Sequence, residues 1–197
     1  MKLYDVFKDG KKYKEKVYEL YQEAFPEEEK KPVGMLEELA KRGMLEILAV
    51  VDDEGAERFV GLAINMTEPS RKAPEGEKET ALLDYFAISP DVRGGGYGSK
   101  ALKLLLERFS GKTYIFEVEM RDEAAPNAAE RQRRVAFYLR GGLKETGLFV
   151  HAYDTDFEIL TPDGKVTYEQ YVGFLTRVMG EAEMRQVVNP TLLRKNA

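Results

Sequence analysis

The chain has 197 residues, with 30 Lys plus Arg against 35 Asp plus Glu and a formal charge of −5. A hydrophobic fraction of 43% excludes a wholly disordered chain, and the length predicts a single domain over residues 1–197. The absence of cysteine excludes a disulfide scaffold, a thiolate metal site and a cysteine nucleophile; with His151 as the lone histidine, no metal site is expected. The acidic balance argues against a nucleic-acid partner. No apolar run approaches the roughly 20 residues that span a bilayer, and Met1-Lys2-Leu3-Tyr4-Asp5 does not read as a signal peptide. A cytoplasmic chain without a membrane partner is the expectation.

Helical spacing over Lys11 to Phe25 places Tyr13, Val17, Leu20, Tyr21 and Ala24 near one face. Pro32 suits the first turn of a second helix that ends at Gly43. Met44 to Val51 reads as a strand, Asp52-Asp53-Glu54-Gly55 as a turn, and Phe59 to Met66 as the returning strand. Thr67 to Thr80 is charged and proline-containing and is expected to be an exposed loop. Ala81 to Ile88 is a third strand, followed by a glycine-rich turn and a helix from about Ser99 to Phe109. Thr113 to Met120 is a strand, Arg121 to Asn127 a loop, and Glu130 to Arg140 a helix stopped by Gly141-Gly142. Leu148 to Tyr153 and Asp156 to Leu160 form a strand pair. Thr167 then caps a last helix with Tyr168, Tyr171, Val172 and Leu175 on one face. The order describes a mixed α/β layer fold.

The segment Asp84 to Ser99 carries the most chemistry. A strand enters a turn with Gly94, Gly95, Gly96 and Gly98, and a helix follows. Glycines permit positive φ and a close ligand approach, and free amides at the helix start suit a phosphate or pyrophosphate. Arg93 adds a positive charge. The phosphate-binding loop of nucleotide hydrolases needs Gly-Lys-Ser/Thr, and the order here, Gly98-Ser99-Lys100, fails it. Gly96-Tyr97-Gly98-Ser99-Lys100-Ala101 fits the dinucleotide fingerprint, with Glu117 at a suitable distance. However, Ser89 to Gly95 separate it from the strand, and the alternating strand-helix series is missing. A glycine turn without a ligand is the bland alternative.

Arg93-Gly94-Gly95-Gly96-Tyr97-Gly98 also matches the R/Q-x-x-G-x-G/A signature of the GCN5-related N-acetyltransferases. Arg134-Val135-Ala136-Phe137-Tyr138-Leu139-Arg140-Gly141-Gly142-Leu143 is similar to a second block of that family. The resemblance runs from about Met44 to Leu160, with the preceding helix pair also fitting. It implies one N-acetyltransferase domain, with a central mixed, mostly antiparallel sheet flanked by helices. It also implies acetyl-CoA as cosubstrate and direct transfer to an amine without an acyl-enzyme. Backbone groups of Phe86, Ala87 and Ile88 would then bond the pantetheine arm. The amides of Arg93, Gly94, Gly95, Gly96, Tyr97, Gly98 and Ser99 would hold the pyrophosphate.

By the same resemblance Tyr138 stands at the general-acid position, and Glu117 matches a glutamate that serves as base in some members. Strand alternation puts Glu117 and Glu119 on one face, with carboxylates about 7 Å apart, where they would attract a cationic amine. Asp84 is a weaker base candidate, and His151 is a candidate by its titration range. Where many members carry a cofactor-orienting asparagine this chain has Arg131; Asn127 lies four residues upstream. Arg131 and Arg134 would meet the cofactor phosphates or, equally well, pair with surface carboxylates. The acceptor is expected to be a cationic small-molecule amine such as a polyamine or amino sugar, with a protein amine and a homodimer left open. The rival reading is a non-catalytic acyl-CoA-binding sensor.

Overall fold

The computed structural model describes residues 1–68, 75–76 and 78–195. Half of the loop expected over Thr67 to Thr80 lies outside them. The chain divides into two compact units, Met1–Ser70 with Leu83–Phe109, and Arg71–Leu82 with Ser110–Ala197. Both are mixed α/β, their strands mostly antiparallel and flanked by helices. Among the described residues, no helix is long and apolar enough to cross a membrane.

In the first unit, β1 (Lys2–Asp5), β2 (Leu45–Asp52), β3 (Arg58–Thr67) and, from Leu83 onward, β4 (Thr80–Ile88) lie side by side in that order. The pairs β1/β2 and β2/β3 are antiparallel. β2 is buried on both faces, which explains its nearly unbroken apolar run. Helices α1 (Lys14–Ala24) and α2 (Val33–Lys41) precede β2, and α3 (Tyr97–Arg108) follows the glycine turn. On α1, Tyr13, Val17, Leu20 and Tyr21 are buried as the spacing predicts, whereas Ala24 is exposed because the helix ends there. Pro32 is the cap before α2 rather than part of its first turn. β1 was not visible to sequence periodicity: four residues are too few for an alternation, and it forms by pairing with Leu48 to Val51.

A bulge interrupts the β2/β3 register, since Val50 pairs Gly61 and Val51 pairs Phe59. Gly61 sits where a Cβ would lie 2.5 Å from the Ala87 carbonyl oxygen and 2.9 Å from Ile88 Cδ1. A side chain there would push the end of β4 away, so this glycine sets where β4 delivers its last residues. The Ser89 amide donates to the Val60 carbonyl and continues the pairing beyond the strand.

In the second unit the strand order is β5 (Thr113–Glu119), β7 (Thr155–Thr161), β6 (Lys144–Ala152) and β8 (Thr191–Lys195), all antiparallel. Helix α4 (Ala128–Arg140) follows β5 and helix α5 (Tyr168–Met179) follows β7. The predicted strand over Leu148 to Tyr153 stops one residue sooner. Tyr153 and Asp154 both take positive φ (51° and 57°) and make the hairpin turn, a role usually signalled by glycine or asparagine. α5 opens on a complete capping box, with Thr167 Oγ1 accepting from the Gln170 amide and Gln170 Oε1 accepting from the Thr167 amide. Tyr171, Phe174, Leu175 and Val178 form its buried stripe, so the predicted face is displaced from Tyr168 and Val172, which are half-buried.

Candidate functional site

The glycine turn is built from backbone. Gly94 and Gly96 take φ of +85° and +74°, with Gly95 between them at non-positive φ, so successive amides alternate in direction as an anion-binding concavity requires. A Cβ at Gly94 or Gly96 would meet nothing within 4 Å, so the space above both residues is open. Gly96 is the residue before α3, and no side chain caps the helix. The amides of Tyr97, Gly98 and Ser99 therefore have no carbonyl one turn back in the helix and point, with the positive end of its dipole, toward the open side. Arg93 is exposed beside them. α3 starts at Tyr97, two residues before the predicted Ser99, which brings the dipole closer to the glycines.

Two anchors hold this turn. Val92 is buried in a cluster with Val50, Val60 and Ala101, against which Phe86, Ile88 and Tyr97 pack. The Tyr97 hydroxyl donates to Asp52 Oδ2 at 2.8 Å, and this bond draws the Asp52 carboxyl below its ordinary range. Along β4 burial gives way to partial exposure at Phe86, Ala87 and Ile88, the residues predicted to offer backbone bonds. Asp84 on the same strand receives both hydrogen bonds of Lys31 Nζ (2.9 and 2.8 Å) and is largely enclosed, so its charge is matched within the fold.

In the second unit β5 sorts its side chains by alternation. Phe116 packs against the Tyr138 ring of α4, with centroids 5.3 Å apart and edge-to-face. Burial pushes the Tyr138 phenol up to about 12, with Arg134 pulling weakly the other way, so it keeps its proton at any physiological pH. Glu117, half-buried and opposite Ile159 in the register, accepts a 2.6 Å hydrogen bond from the Tyr171 hydroxyl of α5. Glu119 is the partner of Arg134 (2.6 Å) and Arg131 (3.2 Å). The two glutamates thus differ: Glu119 is neutralised by two guanidinium groups and Glu117 is bonded by a neutral phenol.

Arg131 is further committed. Its Nε donates to Asn127 Oδ1 at 2.8 Å and its Nη1 to the Met120 carbonyl at 3.1 Å, tying the start of α4 to the end of β5. Asn127 and Arg131 are therefore bonded to each other rather than standing as alternatives. His151 Nδ1 lies 2.6 Å from Asp156 Oδ1, its register partner across the β6/β7 pair, and both are half-buried at the hairpin end. A cleft of about 360 Å³ beside α5, lined by residues including Thr176, Met184 and Asn189, contains none of the predicted residues. Gly61, Asp52 and Tyr171 are not among the site residues expected from sequence, which places Tyr171 only on one face of the last helix.

A glycine turn between strand β4 and the N-terminus of α3 in a mixed α/β fold suits a phosphate or pyrophosphate ligand. Residues 14–138 match the model of the Acetyltransferase (GNAT) family, and the chain belongs to that family and is an N-acetyltransferase. Among solved structures it resembles a GNAT-family acetyltransferase from Bacteroides thetaiotaomicron, at 23% identity and TM-score 0.67, over 92% of this chain and 99% of that one. A spermidine N-acetyltransferase chimera of Vibrio cholerae SpeG and hSSAT is 16% identical at TM-score 0.56, over 82% of this chain and 95% of its own. Arabidopsis thaliana Naa50, bound to a CoA-peptide bisubstrate analogue, is 16% identical at TM-score 0.55, over 84% and 98%. No curated protein matches the chain significantly.

Proposed function

We propose that this N-acetyltransferase uses acetyl-CoA and moves the acetyl group directly onto a primary amine of a cationic small molecule, with residues 1–197 acting as one domain. The observation that carries the cosubstrate is the turn itself: alternating glycine φ, open space above Gly94 and Gly96, and uncapped amides at α3 fit a pyrophosphate. Phe86, Ala87 and Ile88 offer the partly exposed strand end expected to bond the pantetheine arm.

The amine must shed a proton before its lone pair attacks the acetyl carbon, and the departing thiolate must be stabilised. Glu117 takes the first role, as a half-buried carboxylate at the strand position that the family resemblance gives to a base, held by the Tyr171 hydroxyl. Tyr138 takes the second. A phenol at about 12 is some 3.5 units above an ordinary thiol at about 8.5. It therefore donates a hydrogen bond to developing charge on sulfur rather than surrendering its proton outright. Glu119 joins neither step: with Arg131 and Arg134 bound to it, it orders the β5–α4 corner. In this reading Arg131 and Arg134 stay with Glu119, and Arg93 is the exposed charge at the turn.

The cationic acceptor rests on the net charge of −5, on the half-buried Glu117, and on the naming of solved neighbours for spermidine and for aminoglycosides, both cationic amines. Calorimetric titration of wild type, Gly96→Val and Gly94→Val with acetyl-CoA tests the cosubstrate. Micromolar binding by wild type and a loss of at least about tenfold in each folded variant are expected, since a Cβ enters the open space and left-handed φ costs a β-branched residue about 1–2 kcal/mol. Thiol release with polyamines, aminoglycosides and N-terminal peptides then assigns the acceptor; turnover confined to peptides would replace the small-molecule reading.

A further inference from the structure

Tyr171 lies beyond residues 14–138, the stretch that matches the family, and its position is set by features of this chain. The capping box of Thr167 and Gln170 fixes the first turn of α5. The Tyr171 amide closes onto the Thr167 carbonyl at 3.0 Å, and one residue into the helix Tyr168 donates its hydroxyl to the Pro190 carbonyl at 2.7 Å. The Tyr171 ring is fully buried, so its hydroxyl has one rigid place, and that place is 2.6 Å from Glu117 Oε1.

A buried phenol needs a hydrogen-bond acceptor, and a main-chain carbonyl would satisfy it with no consequence for chemistry. Here the acceptor is a carboxylate. A donor aimed at a carboxylate stabilises the charged form and fixes its rotamer, whereas partial burial alone would favour the protonated form. On the tyrosine side, burial first, and then the Glu117 charge and bond, hold the Tyr171 phenol far above its ordinary range, so the phenol keeps its proton and acts as the donor. Around the pair, Tyr168 on α5 and Tyr153 from the β6/β7 turn border Tyr171, β7 presents Ile159 opposite Glu117, and Arg131 and Arg134 of α4 are bound to Glu119 on the strand itself.

We propose that Tyr171 is a positioning residue that holds the Glu117 carboxylate ionised and in one orientation for removal of the proton from the acceptor amine. This rests on Glu117 as the base in the reading above, and it adds α5 to the catalytic apparatus. Tyr171 itself touches no reacting atom in this account. It acts through Glu117.

The test is Tyr171→Phe in the full chain, alone and combined with Glu117→Gln. The ¹³C carboxyl signal of Glu117, assigned by its loss in E117Q, is followed with pH in wild type and Y171F. The signal is expected to titrate at higher pH in Y171F, together with a fall in kcat of about tenfold near neutral pH, an acid limb of kcat/KM displaced upward and a KM for acetyl-CoA within about twofold. In the E117Q background Y171F should cost no further kcat. A folded Y171F with an unmoved carboxyl titration overturns the inference, even if its melting temperature falls. If Y171F does not fold, the hydroxyl proton of Tyr171 in wild type decides: it should resonate far downfield and move upfield when Glu117 protonates and in E117Q, and a resonance unmoved by both overturns the inference. A displaced titration in a chain that binds acetyl-CoA but acetylates no amine supports the Tyr171–Glu117 coupling while overturning Glu117 as a base. The two readings therefore fail separately.

Discussion

The turn at Gly94 to Gly98 and the strand β5 differ in what their polar groups are already doing. In the turn, the helix-start amides and the space above two glycines are open, and the side chains that hold it, Val92 and Tyr97, face inward. On β5 the carboxyl groups are already bonded, Glu119 to two arginines and Glu117 to the Tyr171 phenol. A site made of backbone can be kept vacant without a large penalty, because exposed amides are solvated. A half-buried carboxylate cannot be left without a donor, since desolvating an unbonded charge costs several kcal/mol. The binding half of the proposal therefore appears as an opening and the chemical half as a set of partners. What distinguishes a base from a structural carboxylate is the kind of partner it has.

The largest effects separate these two regions. Glu117→Gln is expected to lower kcat by about 10²–10⁴-fold, the usual worth of general base catalysis, while the Kd for acetyl-CoA stays unchanged by calorimetry. The glycine variants should do the reverse, losing binding. An E117Q enzyme that keeps its kcat would break the contrast, because Glu117 would then be no more than the acceptor that a buried tyrosine requires. Tyr138→Phe should cost about 10–100-fold in kcat. Since burial holds that phenol at about 12, an alkaline limb appearing below about pH 10 should persist unchanged in Y138F. The sign is fixed by the direction of the shift: a phenol with a raised pKa remains protonated through the whole assay range, so its ionisation cannot end activity there. Loss of the limb in Y138F would assign it a lower pKa and full proton transfer.

The contrast also governs what could be read from sequence. Gly94, Gly96 and Gly98 announced the turn because glycine identity bears directly on φ, and a strand before and a helix after it fixed the context. The glutamates were found by alternation, which gives a face but no partner. Their partners come from elsewhere in the chain: Arg134 is 15 residues from Glu119, and Tyr171 is 54 residues from Glu117. Helix periodicity places Tyr171 on one face of the last helix, and on any packed face a tyrosine looks the same whether its hydroxyl meets a carbonyl or a carboxylate. Gly61 was invisible for a similar reason. It reads as an ordinary residue in a strand, and only the close approach of Ala87 and Ile88 shows why a side chain is excluded. Strands β1 and β8 are short and owe their conformation to β2 and β6, so no local pattern announced them.

The smallest effects concern the arginines of α4. Arg131 is mostly enclosed and bonds Glu119, Asn127 and the Met120 carbonyl, so Arg131→Ala should destabilise the fold by about 1–3 kcal/mol in denaturant unfolding. Arg134 shares only Glu119 with it and is about half exposed, which limits Arg134→Ala to roughly 0–1 kcal/mol. Both variants should bind acetyl-CoA within about threefold of wild type, a difference below 1 kcal/mol. This is the sharpest challenge to the contrast, because the sequence allowed the same arginines to serve the cofactor phosphates. If R134A weakened acetyl-CoA binding tenfold while stability held, the guanidinium would have left Glu119 for the ligand. Glu119 would then be a carboxylate released from Arg134 on binding, and β5 would present it to the ligand beside Glu117. Unchanged binding in R134A keeps Arg134 at the β5–α4 corner and leaves phosphate recognition to the backbone of the turn and to Arg93.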